Sequence, residues 1–143
     1  MADEVLFSGA EEPSRLTRMV RRGELRRLAT GVYTTNLIDA AEEVARRNWP
    51  AITSHFCPGA LIADRSVSIG QPDAQGQLFV VADRVRPVQL PGLTIIPRQG
   101  PGPLPDDMPY LQGLFVSSIP RALVENQRRS RSVKGRPSRT LPL

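Results

Sequence analysis

The sequence predicts an α+β protein in which a basic helix and a β-hairpin precede a small mixed α/β region with an antiparallel sheet. Three observations carry this prediction. An arginine-rich helical pattern begins at Pro13, a glycine turn between two β-forming runs follows it directly, and glycine and proline separate three later β-forming runs. Length and composition divide the chain into an N-terminal module (1–50), a small α/β region (51–126) and a basic, mobile tail (127–143).

The basic helix is predicted from the segment "PSRLTRMVRRG", residues 13–23. Ser14 is expected to cap this helix and Gly23 to end it. Apolar side chains recur at i, i+3 and i+4, which places them on one stripe that faces the core. The stripe consists of Leu16, Met19 and Val20. The opposite arc carries only positive charge, from Arg15, Arg18, Arg21 and Arg22.

A β-hairpin is predicted immediately after this helix. In "ELRRLATGVYTT" the strands are expected at residues 25–28 and 32–35, around the loop Ala29-Thr30-Gly31. Gly31 supplies the positive φ that such turns require. Leu25 and Val32 are expected in the core. A short hairpin directly after a basic helix has the shape of the wing of a winged-helix module.

A second helix is predicted from "NLIDAAEEVARRNWP", with Asn36 as its cap and Pro50 as its terminator. The next segment, "ITSHFCPGALIADRS", is predicted to contain another short helix that opens at Ser54 or Pro58 and includes the apolar residues 60–62.

The second half of the chain is predicted to form a small sheet and a final helix. Its strands come from "GQLFVVADR", "GLTIIPR" and "GLFVSS". Half of the fourteen prolines lie between Pro87 and Pro109, so "RQGPGPLPDDMP" is expected to be a loop. Ser118 is expected to cap a helix with Pro120 in its first turn.

Charge favours a nucleic-acid partner. Nineteen Lys and Arg face fourteen acids, which gives a net charge of +5 and a pI near 10.6. A helix that lies in the major groove can present arginine forks to guanine, while neighbouring arginines hold phosphates. The alternative is an ordinary solvated helix face, on which charges of both signs are expected. The predicted DNA-binding residues are Ser14, Arg15, Thr17, Arg18, Arg21, Arg22, Arg26, Arg27, Lys134 and Arg136.

The last two of these residues lie in the tail. "KGRP", residues 134–137, resembles the Gly-Arg-Pro core of the AT-hook, which binds the narrow minor groove of A·T tracts. Lys134 stands where that motif usually has arginine. The alternative is a plain basic linker, which still adds sequence-independent attraction to phosphates.

The sequence does not indicate catalysis or a cofactor. His55 and Cys57 are the only histidine and cysteine, too few for a zinc site, and each is expected to be structural. Ser54 and His55 are adjacent, which points their side chains apart. Two carboxylate pairs are expected to be solvated, Asp106 with Asp107 and Glu42 with Glu43. We therefore predict a protein that is not an enzyme and that holds no metal.

Apolar runs of four or five residues, such as Leu78 to Ala82, are too short to cross a membrane, and the acidic start "MADEV" is not a secretory signal. These features predict a soluble, cytoplasmic protein without a membrane partner.

Several motifs in order resemble one known family. They are the basic helix, the step Gly23-Glu24-Leu25 into the hairpin, Gly31-Val32-Tyr33 on its return strand, and the helix start from Ser118 to Arg121. "ITSHFCPGALIAD" also occupies the place of a helix that begins with Ser-His in that family. In this order the chain resembles the AbiEi-type antitoxins, transcriptional regulators of abortive-infection (type IV) toxin-antitoxin systems.

The resemblance implies a winged helix-turn-helix that binds operator DNA and represses its own operon, and a toxin that the protein opposes. A reader of two-fold-symmetric DNA would act as a homodimer. The family normally places two helices before the basic one, whereas residues 1–12 have room for one at most.

The competing hypothesis is a regulatory or interaction domain without DNA of its own. Domains that resemble this chain also precede catalytic partners such as Fic-type transferases. In this case the apolar and proline-rich surface near Leu90 to Leu114 would contact the partner enzyme, and the chain would be the front piece of a longer protein.

Overall fold

The computed structural model describes residues 4–9 and 12–132, with side chains described as far as Glu125. It confirms the α+β class, with four helices and two sheets in these ranges. The strands are β1 (Val5–Phe7), β2 (Arg26–Ala29), β3 (Val32–Thr34), β4 (Leu61–Ile62), β5 (Gln77–Val81), β6 (Val88–Leu90), β7 (Leu93–Arg98), β8 (Met108–Pro109) and β9 (Phe115–Val116). The helices are α1 (Pro13–Arg21), α2 (Ala41–Arg47), α3 (Trp49–Phe56) and α4 (Ile119–Ser132).

The N-terminal sheet has the strand order β1-β3-β2. Both outer strands pair antiparallel with β3, so β1 and β2 run parallel to each other and α1 is the crossover connection between them. A strand therefore occupies the N-terminal segment that the sequence suggested could hold a helix. Within residues 4–9 and 12–34, α1 is the only helix, so this part of the structure contains no helix-turn-helix pair.

The start of α1 differs from the prediction, and its end agrees with it. Glu12, not Ser14, is the N-cap residue, because Pro13 already has its place in the first turn. At the other end Gly23 adopts a φ of 76°. The N–H groups of Gly23 and Glu24 donate to the carbonyls of Val20 and Met19, at 3.0 and 2.9 Å. This pair of bonds is a Schellman motif, which ends the helix at the predicted glycine.

The apolar stripe of α1 is only partly buried. Leu16 is fully buried and Met19 is half-buried, but Val20 is 38% exposed, so its prediction as a core residue was wrong. Val20 lies in the last turn, directly before the chain reverses at Gly23, where it remains at the surface. Leu25 and Val32 are buried as predicted.

The hairpin is confirmed to within one residue. Strands β2 and β3 flank a Thr30-Gly31 turn, and Gly31 has a φ of 77°. The register shifts between Arg27 and Ala29, which makes Leu28 a bulge.

The two middle helices begin and end at other residues than predicted. The side chain of Asn36 accepts hydrogen bonds from the N–H groups of Ile38 and Asp39 instead of capping a helix, so α2 starts only at Ala41. Pro50 does not terminate a helix, because it lies in the first turn of α3, where no N–H is needed. The helix predicted to open at Ser54 or Pro58 was also wrong.

The apolar residues expected in that helix form the buried strand β4 instead. Leu61 and Ile62 pair with β5 on one side and with β9 on the other. A short apolar run in a fully buried strand carries no periodicity, so it cannot be distinguished from a buried helix by pattern.

The larger sheet has the order β6-β7-β5-β4-β9-β8 and is mixed, whereas the sequence predicted an antiparallel sheet. Strands β5 and β7 are parallel, and so are β4 and β9. Strand β6 pairs antiparallel with one side of β7. The other side of β7 pairs with β5, and these two strands run in the same direction. Residues 99–107 of the proline-rich segment form a loop as predicted, but Arg98 ends β7 and Met108–Pro109 form β8. The Ser118 cap is as predicted and accepts the N–H of Arg121 at 3.3 Å.

A continuous hydrophobic cluster joins the two sheets. It contains Val5 and Val32 from the N-terminal sheet, Ile52 from α3, and Leu78 and Ile95 from the larger sheet. The predicted boundary after residue 50 falls inside α3, so the core crosses it. The helix α4 continues to Ser132, into the segment predicted to be a tail.

Glu4 fastens the N-terminal strand to the middle helices. Its carboxylate accepts two hydrogen bonds from Arg47, at 3.0 and 2.6 Å, and one each from Asn36 and Asn48. The hydrogen bonds from Arg47, followed by those from Asn36 and Asn48, lower the pKa of Glu4 from 4.5 to about 2. The ionised carboxylate is therefore the form that stabilises the fold.

Glu4→Gln should destabilise the protein at pH 7 by about 1–2 kcal/mol, a value reduced from the full shift because the carboxylate is partly exposed. The folded-state pKa of Glu4 is depressed, so its contribution is complete above pH 4.5 and is lost as the pH falls towards 2. Urea denaturation across this pH range should show that the difference in free energy of unfolding between wild type and variant becomes smaller on acidification. Glu43→Gln, at an exposed position on α2, is the control. A difference in free energy of unfolding that does not change with pH would contradict stabilisation by the ionised Glu4 carboxylate.

Candidate nucleic-acid interface

Four arginines of α1 form a solvent-exposed row, which we call the arginine ridge: Arg15, Arg18, Arg21 and Arg22. Arg18 and Arg21 make no ion pair with any residue that the structure describes. Arg22 pairs with Glu24 at 3.0 Å, and both side chains stay about half exposed or more, at 65% and 49%. Such an exposed pair contributes little and exchanges easily for a phosphate. The ridge is thus accessible to a polyanion.

The two hydroxyl groups predicted to bind DNA are engaged within the helix. Ser14 donates its hydroxyl proton to the Glu12 carboxylate at 2.6 Å, and Thr17 donates to the carbonyl of Pro13 at 3.0 Å. Phosphate oxygens accept hydrogen bonds, so neither hydroxyl offers a proton to phosphate in this arrangement. The structure brings both residues to the exposed side of α1 beside the ridge.

The two arginines of the hairpin point to opposite faces, as the alternation of a strand requires. Arg26 is half-buried and donates to the backbone carbonyls of Asn36 and Asp39, so its guanidinium holds the loop before α2. Arg27 is exposed and folds over the turn, with hydrogen bonds to the carbonyl of Ala29 and the hydroxyl of Thr30. Only Arg27 therefore extends the positive surface from α1 onto the hairpin.

The remaining two predicted DNA-binding residues, Lys134 and Arg136, lie outside the described residues. The nearest part of the chain that the structure describes is the end of α4 at Ser132.

A chain of alternating charges fastens α4 to the larger sheet, and the sequence did not reveal it. It runs through Asp64, Arg98, Glu125, Arg121 and Asp107. Arg98 binds Asp64 through two hydrogen bonds of 2.9 Å. We call this set the ion-pair chain.

Asp107 was expected to be solvated, and that prediction was wrong. Its side chain is only 1% exposed. Burial alone would raise the pKa of Asp107. The carboxylate accepts hydrogen bonds from the N–H groups of Leu104 and Ser118 and from the Arg121 guanidinium, and together these donors lower the pKa of Asp107 below its ordinary value. Asp107 is buried because the N-terminus of α4 packs against the loop and supplies two of these three donors, the N–H of Ser118 and the side chain of Arg121. The i, i+4 spacing of Arg121 and Glu125 was the one signal of this chain in the sequence.

His55 and Cys57 have the structural roles that the sequence predicts. His55 stacks on Phe7 with ring centroids 4.0 Å apart and meets Phe56 edge-on at 4.9 Å. Burial lowers the pKa of His55 and raises the pKa of the buried Cys57 thiol. Both groups therefore favour the neutral form.

Comparison with protein-family models, with curated proteins and with solved structures found no match. Within residues 4–9 and 12–132, no helix combines the length and apolar character needed to cross a bilayer. The same part of the chain has no cluster of three His, Cys, Asp or Glu side chains placed to hold a metal ion.

Proposed function

We propose that this chain is a DNA-binding transcriptional regulator of the antitoxin type that represses its own operon. The observation that carries the proposal is the arginine ridge, four exposed guanidinium groups on a helix whose opposite side buries Leu16. The ordered motifs that resemble AbiEi-type antitoxins support the assignment to this class of regulator.

The dimensions of α1 suit the major groove of B-DNA. An α-helix with its side chains is about 10–12 Å across, which fits a groove about 12 Å wide, and the nine residues of α1 extend about 13 Å along it at roughly 1.5 Å per residue. An arginine fork in the groove donates two hydrogen bonds to guanine, whereas the other members of the ridge reach phosphates on either side. The ridge thus supplies both base contacts and positioning contacts.

The arrangement around α1 requires a docking mode other than that of a helix-turn-helix. In that motif a preceding helix crosses the DNA backbone and orients the recognition helix. In this fold a strand precedes α1, and β1 and β2 hold its two ends. We assign the backbone contact to the hairpin, where Arg27 is exposed beside the Thr30-Gly31 turn.

A gel-shift titration with DNA from upstream of the gene tests the proposal. If three arginines of the ridge and Arg27 of the hairpin contact phosphates, the plot of log K against log salt should have a slope near −3.6. Affinity should then fall about 150-fold between 50 and 200 mM salt. An affinity independent of salt, or equal affinity for unrelated DNA at every salt concentration, would overturn the assignment.

A second function, docking on a partner enzyme, is favoured by one surface. Leu104, Met108 and Leu111 are exposed in and after the proline-rich loop, and Met108 lies on the edge strand β8. These three side chains lie within eight positions of one another in the sequence, and exposed apolar residues that form a patch are typical of protein interfaces.

Replacing Met108 and Leu111 by glutamate should abolish co-purification with the product of the adjacent gene and leave DNA binding within about twofold of wild type, because neither residue is among the proposed DNA contacts. Ile38→Glu, at a highly exposed apolar residue before α2, is the control for the added charge. Equal retention of the partner by all three proteins would exclude this docking surface.

A further inference from the structure

We infer that the loop between β5 and β6 is a second phosphate-binding site, in which Arg84 and Arg86 hold the DNA backbone beside the turn of the hairpin. The inference rests on the proposed function and extends it to residues that the sequence did not single out. The loop spans residues 82–87. We call it the 82–87 loop.

A continuous series of contacts connects the hairpin turn to this loop. The N–H of Ser8 donates to the carbonyl of Gly31 at 3.1 Å, and the neighbouring Phe7 stacks on His55. His55 in turn contacts Phe56, and the guanidinium carbon of Arg84 lies 5.8 Å from the centre of the Phe56 ring. Arg84 is therefore at the same end of the molecule as the turn.

The path of β6 leads to the same placement. Strand β6 contacts β2, and the turn that follows β6 packs Gly92 tightly against Glu42 at the start of α2. The beginning of β6, at Val88, therefore lies away from α2 and towards the hairpin turn. Arg86 and Pro87 directly precede this residue.

The start of α1 lies close to the same end. Ser8 is bonded to the turn residue Gly31, and Gly9 packs near His55. Glu12 follows Gly9 by three residue steps, which span at most about 11 Å. The first turn of α1, the hairpin turn and the 82–87 loop therefore converge on one end of the molecule.

The two arginines keep donors for a ligand. Arg84 uses its Nε–H to bond the carbonyl of Arg86 at 3.1 Å, which shapes the loop and leaves the two terminal nitrogens directed elsewhere. Its contact with Phe56 is a cation–π interaction that restrains the side chain. Arg86 is exposed and makes no ion pair with a described residue. Restrained guanidinium forks of this kind suit the oxygens of a phosphate.

The position of the loop favours the DNA backbone over an acidic protein. In the proposed complex the duplex that accepts α1 in its groove runs past the hairpin turn, which puts the loop beside that turn within reach of its phosphates. Asp83 is exposed next to Arg84 and leaves the loop with a small net positive charge. Contacts to phosphate carry no base information, so the site should add affinity without changing sequence preference.

The test compares variants that remove equal charge at different places. Arg84→Gln with Arg86→Gln should weaken operator binding about 3- to 10-fold at 0.1 M salt and make the slope of log K against log salt about one to two units shallower. The relative affinities for operator and mutated operator should not change. Arg46→Glu is the control, because it lowers the net charge by the same two units and Arg46 is exposed and bonds the carbonyl of Gly92 at the opposite end of β6.

The outcomes separate this site from the proposed function. If the double variant has the affinity and salt slope of Arg46→Glu while Arg18→Glu weakens operator binding further, the 82–87 loop is not a phosphate site and the regulator assignment stands. If wild type itself does not bind operator DNA, both are overturned. If the double variant loses sequence preference, the loop reads bases and the phosphate assignment is wrong.

Discussion

Charge reversal at Arg18 and Arg21 should lower operator affinity by roughly 100-fold or more, the largest effect on DNA binding that we expect from any pair of substitutions. Each arginine of a recognition helix contributes about 1–3 kcal/mol. Glutamate also adds repulsion towards phosphate. Both residues are exposed and make no ion pair with a described residue, so the substitutions break no ion pair of the folded protein. Gel shift at 0.1 M salt measures the loss.

Arginine and glutamate have similar helix propensities, so α1 should remain folded in the variant. Circular dichroism checks this point. The matched control compares Arg18→Glu with Arg46→Glu, an equal reversal at an exposed position on α2. Diffuse attraction between a basic protein and DNA would weaken both variants equally, and that result would exclude the ridge as the contact surface.

Arg121→Met should lower the free energy of unfolding by about 3–5 kcal/mol, because it leaves a buried carboxylate without its cation. Asp107 is almost completely inaccessible, and Glu125 loses a partner at the same time. Two backbone carbonyls, those of Pro101 and Gly102, also lose their donor. Such a loss is a large fraction of the 5–15 kcal/mol typical of a domain. Chemical denaturation measures the change.

A second variant separates the ion pair from simple packing. Replacing Asp107 by leucine together with Arg121→Met removes the stranded charge, so the double variant should be less destabilised than Arg121→Met alone. Arg22→Met is the control, since its pair with Glu24 is exposed and should contribute about 1 kcal/mol or less. Equal destabilisation by Arg121→Met and Arg22→Met would show that the ion-pair chain does not hold α4.

Local signals predicted the elements that depend on local chemistry. Gly23 ends α1 and Gly31 forms the hairpin turn because only glycine adopts their positive φ without strain. Ser118 caps α4 through the backbone of Arg121. The exposed ridge follows from the 3.6-residue period, which places Leu16 opposite the arginines.

The errors concern interactions between distant residues. Asn36 keeps the local hydrogen bonds of a helix cap, but Arg26, ten positions away, donates to the carbonyls of Asn36 and Asp39 and holds this segment as a loop. Leu61 and Ile62 form a strand because β5 and β9 flank them, which no local pattern encodes. The split between a structural Arg26 and an exposed Arg27 likewise depends on the loop that Arg26 contacts. The sequence therefore predicted the exposure of the arginine ridge, but it did not predict which hairpin arginine would be held by backbone contacts.

The hydrophobic cluster that spans both sheets has a thermodynamic consequence for regulation. Since Val32 near the hairpin turn and Ile95 in the far sheet belong to one cluster, occupancy of the ridge stabilises the whole chain against unfolding. Under the proposed function, a partner that unfolds the larger sheet would therefore also unfold the ridge and release the operator. A contact at one end of the protein would in this way shorten the residence of the other end on DNA.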